Sequence, residues 1–457
     1  MPRLVIAGLS GGSGKTLVSL AVLLEARQRG VPVRAFKKGP DYIDAAWLAW
    51  ASGAPARNLD TCLMGFPTAA NSFARHSLEI GLNVIEGNRG LYDGLDARGT
   101  HSTAELAKAL GAPVVVAIDA TKVTRTAAAL ALGCQKLDPE LWIAGFILNR
   151  VSGTRHERVM REAIESVCRV PVLGAIPRAP DGTFLDMRHL GLVTPAEFAG
   201  HEALAQTLLD RVARHLDFKG LMEIAQRPGN IERVPLPERP HRATRLKIGY
   251  LKDSAFSFYY PENLEALEGA GADLVAIPAL SAAELPAGLD GLYIGGGFPE
   301  MHAQALAANS GFLASIRHAA RGGLPIYAEC GGLMLLARSL AWRGGKYPMA
   351  GVLPIEVEMC ETPQGHGYAD LLVDAANPFF ATGTRLHGHE FHYSKIAPGG
   401  EQPPTACAVV RGVGCGAGRD AIVWRNVWAS YTHLHALATP AWAEGMLRAV
   451  RTAPVAA

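Results

Sequence analysis

Long hydrophobic runs are missing from this chain. No segment of the sequence approaches the ~20 apolar residues needed to cross a bilayer. The N-terminal stretch MPRLVIAGLSGGSGKT carries too short an apolar run for a signal peptide. Paired cysteines are missing as well. The 7 cysteines, at positions 62, 134, 168, 330, 360, 407 and 415, form no CxxC pair, so neither a zinc knuckle nor a dithiol redox motif is signalled. A reduced, cytoplasmic protein is the simplest reading. An excess of either charge is absent too. The net charge of +2 gives no basic field for nucleic acid or an anionic membrane surface, so any anionic ligand must be held by local groups. There is no internal repeat and no low-complexity tract. What is present is 49% hydrophobic and 19% charged residues over 457 positions, which suits two or three packed domains rather than a disordered chain.

Apolar strand-like runs alternate with helical patterns from the N-terminus to about residue 176. The runs are Leu4–Ala7, Pro32–Phe36, Asn83–Ile85, Pro113–Ile118, Ile143–Leu148 and Pro171–Ala175. This alternation predicts a parallel sheet with helices on both faces. Residues 228–245, PGNIERVPLPERPHRATR, lack apolar periodicity and read as a linker. A second alternating series is expected from Leu246 to the end, with strands at Lys247–Leu251, Leu274–Ile277, Gly291–Ile294 and Leu324–Tyr327. The expected architecture is therefore α/β in two domains, 1–227 and 246–457, around that linker.

The front half carries phosphate chemistry. VIAGLSGGSGKT is a strand, a glycine-rich loop and a helix start. Backbone N–H groups of such a loop cradle phosphates; Lys15 would reach the β- and γ-phosphates and Thr16 would bind Mg²⁺. Leu9 stands where the strict pattern wants glycine and Gly8 comes one residue early, so the loop is one residue longer than usual. FKKGPDYIDAAW places Lys37, Lys38, Asp41 and Asp44 just beyond a strand, where open α/β sheets bind ligands. NVIEGNRGLYDG repeats the pattern with Glu86 and Asp93, and acids there can hold Mg²⁺ or position a substrate. Asp119 and Asn149–Arg150 also end strands, and the Asn149 amide could read a base edge.

The back half carries thiol chemistry. In GLPIYAECGGLMLL a buried strand is followed by Cys330, two glycines and an apolar helix expected from Leu333 to Leu340. A cysteine in such a turn faces helix N–H groups, which lower a thiol pKa and stabilise an oxyanion. Cys330 is read as the one cysteine in a strand-to-helix turn. WASYTHLHAL supplies His433 and His435, which face one side in an extended segment, and a thiol with a nearby histidine is the arrangement for acyl transfer. YIGGGFPE adds Gly295, Gly296 and Gly297, whose N–H groups can line an oxyanion hole. RLHGHEFHYS offers His387, His389, Glu390 and His392, but the spacing is HExH rather than HExxH, and a strand would split these side chains between two faces. The wall of a ligand cleft fits them better than a metal site.

Taken in order, GGSGKT, KKGPDYID, RNLD, IEGNRGLYDG, AFSFYYPENLEAL, GGGFPE, ECGGLMLL, GHEFHYS and SYTHLH resemble the cobyrinic acid and hydrogenobyrinic acid a,c-diamide synthase family over nearly the whole chain. The front domain is similar to dethiobiotin synthetase, which shares the longer phosphate loop. The back domain resembles class I glutamine amidotransferases. The resemblance implies that Cys330 attacks glutamine, that His433 activates it, and that Gly296 and Gly297 serve the oxyanion. It further implies that Gly11, Gly12, Ser13, Gly14, Lys15 and Thr16 hold the triphosphate of ATP, with Asn149 near the adenine. Thr16, Asp41 and Glu86 would support Mg²⁺. Asp41, Glu86 and Asp93 would serve an acyl-phosphate step, and Asp44 would touch a corrin polycarboxylate.

The implied partners are small molecules, with neither nucleic acid nor membrane, and a homodimer is allowed. Two departures stand out. Class I triads carry His-x-Glu, whereas this chain has His433-Leu434-His435, which implies a Cys–His pair without a carboxylate at that spot. Arg89 follows Glu86 where many relatives lack a basic residue. The cobalt corrin, the metal-free corrin and a nickel tetrapyrrole stay open as substrates. A partitioning-type ATPase switch is similar only to the front half.

Overall fold

The computed structural model describes residues 1–179, 193–229, 231, 245–398 and 403–453. The chain divides into two compact units, Met1–Leu236 and Pro237–Ala457. The expected linker falls largely on residues 230 and 232–244, outside the described residues. Among the described residues no helix is long and apolar enough to cross a membrane.

The first unit is built on seven strands: β1 Arg3–Gly8, β2 Val33–Lys38, β3 Arg57–Leu59, β4 Leu82–Glu86, β5 Val114–Asp119, β6 Ile143–Val151 and β7 Val172–Pro177. They form one sheet in the order β3-β2-β4-β1-β5-β6-β7, and every pairing is parallel. Alternation within β1 shows why both faces are covered. Leu4 and Ile6 enter one core with the helix Lys15–Gln28, while Val5 and Ala7 enter another with Phe36 and Phe73. The strand order reverses about β1, so the crevice at its carboxyl end is where such a sheet binds ligands. The phosphate-type loop sits there.

The second unit holds β8 Leu246–Leu251, β9 Ala272–Ile277, β10 Gly291–Ile294, β11 Ile326–Glu329, β12 Ser339–Trp342, β13 Gly345–Pro348, β14 Glu356–Met359, β15 Gly365–Val373, β16 Arg385–His392, β17 Ser394–Ile396, β18 Thr405–Arg411, β19 Arg419–Trp424, β20 Val427–Ser430 and β21 His433–Leu434. Ten of them form a sheet in the order β21-β16-β15-β18-β19-β20-β11-β10-β8-β9. The run β9-β8-β10-β11-β20 is parallel, and from β20 to β21 the pairings are antiparallel. A separate small sheet has the order β13-β12-β14-β17.

Two expectations need correction. The α/β alternation does not run to the end of the chain. After the short helix Gly331–Leu336 the described chain is strands until the helix Ala441–Thr452. Nor does an apolar helix reach Leu340. Ala337 is extended, and Ser339–Trp342 pairs as β12 with β13 through a turn at Arg343 and Gly344, both at positive φ (48° and 77°). Two such residues match the twist of a hairpin, so the turn overrides the apolar run.

Trp428 anchors the second core. It is buried, with its ring 5.0 Å from Phe380 and stacked at 6.2 Å on Tyr327. Trp428→Ala is expected to cost about 3–5 kcal/mol by loss of buried area and a residual cavity. Urea unfolding followed by circular dichroism checks this.

Candidate functional site

In the first unit, the loop after β1 closes on itself. The Ser10 N–H donates to Ser13 Oγ at 3.1 Å, Ser13 Oγ donates back to Ser10 O at 2.9 Å, and Lys15 Nζ donates to Ser10 O at 2.9 Å. Gly14 caps the Lys15 helix at φ 102°, and a Cβ there would stand 2.3 Å from Asn149 Nδ2. Only glycine satisfies both demands. Asn149 donates to Ser13 O at 3.1 Å and keeps a buried Oδ1 with no hydrogen-bond partner among the described residues. It is therefore tied to the phosphate loop, with one acceptor unspent. Gly11 and Gly12 form the outer rim of the loop, exposed, with nothing near their Cα positions.

The acids gather beside that loop. Thr16 Oγ1 donates to Glu86 Oε1 at 2.9 Å inside the protein. Lys37 Nζ lies 2.8 Å from Glu86 Oε1 and 2.6 Å from Asp44 Oδ2, and it also donates to Gly87 O at 3.1 Å. Burial works against the Lys37 charge, yet Asp44 and Glu86 prevail and raise its pKa. One ammonium cannot fully stabilise two acids. Burial pushes the Glu86 carboxyl up to about 7, with Lys37 pulling it down and Asp44 pushing it further up. Asp41 caps the helix Tyr42–Ser52, accepting from the Ile43 and Asp44 N–H groups at 2.8 and 2.9 Å. Burial and then Asp44 lift it to about 6. Lys15 moves the other way, lowered by burial and by Lys37.

Asp93 Oδ2 accepts the Gly90 N–H at 2.8 Å, and Leu91 N–H donates to Gly8 O at 2.7 Å, which sets this loop against the phosphate loop. Arg89 lies within electrostatic reach of Lys38. Asp119 stands apart from this group, paired with Arg150 at 2.5 Å and with Thr121. Glu86 Oε2 is buried without a hydrogen-bond partner among the described residues. A hard cation that takes oxygen ligands fits an orphaned carboxylate oxygen beside a threonine hydroxyl.

In the second unit, Cys330 sits between β11 and the helix Gly331–Leu336 with φ 48° and ψ −99°. Its N–H donates to Ser430 O at 2.7 Å. A Cβ on Gly332 would stand 2.4 Å from Ile294 O, so the second glycine lets the turn press onto β10. The expectation of a lowered thiol pKa is not met. Burial first, then the Glu300 charge, pushes the Cys330 thiol up against a hydrogen bond from the Gly331 N–H, and a two-turn helix does not offset this. A thiol so placed would need a base to react. Cys62 also lies in the first turn of a helix behind a strand, so Cys330 is not alone in that setting; its strained φ sets it apart.

His433 meets the glycine loop that also borders the Cys330 turn. It pairs with His389 across β21 and β16, with rings stacked at 5.1 Å. A Cβ on Gly296 would stand 2.5 Å from His433 Cε1, so the glycine loop and the imidazole meet. The Gly295 N–H is taken by the Tyr259 hydroxyl at 2.8 Å, which leaves Gly296 and Gly297 as the loop's remaining oxyanion candidates.

Glu329 is the residue that sequence reasoning missed. Its Oε2 lies 3.3 Å from His433 Nδ1 and accepts the Tyr293 hydroxyl at 3.2 Å, and its Oε1 accepts the Leu434 N–H at 3.2 Å. The signal was an acid ending a buried strand, the same one that marked Glu86. His435 turns elsewhere, 3.7 Å from Glu262 and with its ring tilted against Tyr260 at 4.4 Å. Asp420 holds the loop between β20 and β21, accepting from the Tyr431 and Thr432 N–H groups and the Thr432 hydroxyl at 3.1, 3.2 and 2.7 Å.

The HExH cluster is divided. His387 is exposed and paired with Asp370 at 2.6 Å. His392 stacks on Tyr431 at 3.8 Å and lies 3.5 Å from Glu390, which accepts the Val413 and Gly414 N–H groups at 2.5 and 2.9 Å. The His392–Tyr431 stack sets this pair against the segment between β20 and β21.

Comparison with known proteins gives two family matches. Residues 4–193 match the CobQ/CobB/MinD/ParA nucleotide binding domain, and residues 247–441 match the CobB/CobQ-like glutamine amidotransferase domain. The chain is 42% identical to a cobyrinate a,c-diamide synthase of Magnetococcus marinus, covering 98% of this chain and 97% of that one. It is 38% identical to one from Syntrophotalea carbinolica, covering 96% of each, and 36% identical to one from Salmonella typhimurium, covering 98% of each.

The Glu86 environment yields a prediction. A carboxyl raised in the folded state favours folding below its unfolded pKa and loses that contribution as pH rises through about 7. The melting temperature of Glu86→Gln minus that of the parent should therefore rise between pH 5 and pH 8. Thermal melts at the two values check the sign.

Proposed function

The chain belongs to the cobyrinate a,c-diamide synthase family, an enzyme with a nucleotide-binding and a glutamine amidotransferase domain, and we propose that it amidates the a and c carboxylates of cobyrinic acid. The observation that carries this reading is identity to cobyrinate a,c-diamide synthases over nearly the full length of both chains. The region 1–227 activates the corrin and 246–457 supplies ammonia, both in the cytoplasm.

In the second domain, Cys330 Sγ attacks the side-chain carbonyl carbon of glutamine and its proton passes to His433. The Gly296 and Gly297 N–H groups steady the oxyanion. Ammonia leaves with the proton returned by His433, and water then hydrolyses the thioester to glutamate. The raised thiol pKa supports this division of labour, because a buried neutral thiol stays inert until a base takes its proton.

In the first domain, the N–H groups from Gly11 to Thr16 hold the ATP phosphates, with Ser13 fixing the loop and Lys15 neutralising charge. Thr16, Glu86 and Asp41 would hold Mg²⁺, which when bound neutralises phosphate charge. Asn149 Oδ1 accepts from the adenine. A corrin carboxylate oxygen takes the γ-phosphoryl group, giving an acyl phosphate and ADP. Ammonia then attacks the acyl carbon, and phosphate leaves. Lys37 holds Asp44 and Glu86 in place for this step, Asp44 faces the corrin, and Asp93 steadies the loop behind it. Activation is needed because a free carboxylate is too poor an acceptor for ammonia.

Mass spectrometry of cobyrinic acid incubated with ATP, Mg²⁺, glutamine and the protein tests the reading. Each carboxylate-to-amide change lowers the mass by about one unit, so an ATP-dependent loss of about two units is expected from two acyl transfers. No change with cobyrinic acid, but a loss with the metal-free corrin or the nickel tetrapyrrole, would reassign the ring. Cys330→Ala should lose amidation from glutamine and retain it from ammonium salts. Lys15→Ala should lose both.

A further inference from the structure

We propose that Glu329 is the positioning carboxylate of the glutaminase: it fixes the tautomer of His433 so that Nε2 is the nitrogen that accepts the Cys330 proton. The inference rests on the glutaminase reading and deepens it. In a His-x-Glu chain the orienting acid would stand two residues after the histidine. Here that place is His435, which is spent on Glu262 and Tyr260. The acid comes instead from the strand that delivers the thiol.

Glu329 is the last residue of β11, adjacent to Cys330, and fully buried. Both of its oxygens are aimed. Oε1 takes the N–H of Leu434, which locks the carboxylate to the backbone of β21 itself. Oε2 takes the Tyr293 hydroxyl and faces His433 Nδ1 at 3.3 Å. A carboxylate is an acceptor only, so the nitrogen facing it must carry the proton. With Nδ1 protonated, Nε2 of the neutral ring holds the lone pair. Nε2 lies on the ring edge turned to the glycine loop, 3.2 Å from where a Cβ on Gly296 would be. The ring is thus anchored at Nδ1, with its Nε2 edge turned to the glycine loop. When Nε2 takes the thiol proton, the imidazolium forms beside a fixed negative charge.

The test separates this role from plain packing. Three variants, Glu329→Gln, Glu329→Ala and Glu329→Asp, are assayed for glutamine-dependent amidation of cobyrinic acid with ATP and Mg²⁺, and their thermal melts are recorded. Gln keeps the shape but can present an NH₂ to Nδ1, which forces the proton onto Nε2 and disables the base; Ala leaves a cavity but no such constraint. A packing role predicts that Ala is the worse variant in both stability and activity. The positioning role predicts that Gln melts higher than Ala yet turns over no faster. Its kcat should fall on the order of 10²–10⁴-fold, with KM for glutamine within about threefold, as for loss of a triad carboxylate. Asp, which keeps the charge, should recover part of the loss.

The proposal is overturned if Glu329→Gln keeps kcat within about threefold of the parent, or if Gln outperforms Ala in kcat. Cys330→Ala run alongside keeps the two readings apart. If glutamine-dependent amidation survives without the thiol, the glutaminase reading fails, and the assignment of Glu329 fails with it.

Discussion

The backbone at Cys330 is the constraint on which the second domain turns. A non-glycine residue at φ 48° and ψ −99° is strained, and such a conformation persists only where its surroundings over-determine it. Three of those surroundings are visible. Its N–H is taken by Ser430 O, the Gly331 N–H bonds its sulfur, and Gly332 lets the following turn lie on Ile294. Ser430 begins the loop to His433, so the bond that holds the thiol's backbone also ties down the segment carrying His433. Asp420 completes the arrangement by gripping Tyr431 and Thr432. Cys330, His433 and Glu329 are therefore set by backbone contacts rather than by long flexible side chains, which suits a site that must hold geometry.

The first domain solves a different problem. It buries a lysine and puts more acid around it than one cation can satisfy. Burial, with the Asp44 charge adding to it, raises the carboxyl pKa values at Glu86 and Asp41. A site left short of positive charge is prepared for a cationic ligand and tolerant of a proton in its place. Both domains set their chemistry at the carboxyl ends of parallel strands, where loops converge and helix starts offer N–H groups.

Much of this was legible in the sequence. Six of the seven parallel strands of the first domain are legible within a few residues, because buried strands are short continuous apolar runs between turn signals; β3, only the three residues Arg57–Leu59, carries no such run. The phosphate loop, Glu86, Cys330 and His433 were legible because each stands where a periodic pattern breaks. The antiparallel strands beyond Leu336 were not. Most of them pair with a neighbour in sequence across a short turn, but short alternating strands leave a weak local signal. The Arg343–Gly344 turn was the available clue. Glu329 escaped for another reason. A triad acid is customary two residues after the histidine, where His435 stands, while an acid next to Cys330 reads as part of the turn. Proximity to His433 depends on β11 and β21 meeting in three dimensions, and no spacing along the chain reports that.

The short link from β20 to β21 has a consequence for solubility. Along the sheet the two strands are five places apart, roughly 24 Å if the sheet were flat at ~4.8 Å per strand. The chain from Ser430 to His433 spans at most about 11 Å. The antiparallel half must therefore curl round until its last strand returns beside the parallel half. That curl hides a strand edge that would otherwise stand open as a template for other chains. His433 thus sits on the clasp of a rolled sheet. Damage to the Ser430–His433 link would open an edge as well as displace a base, and would show first as sticking between molecules.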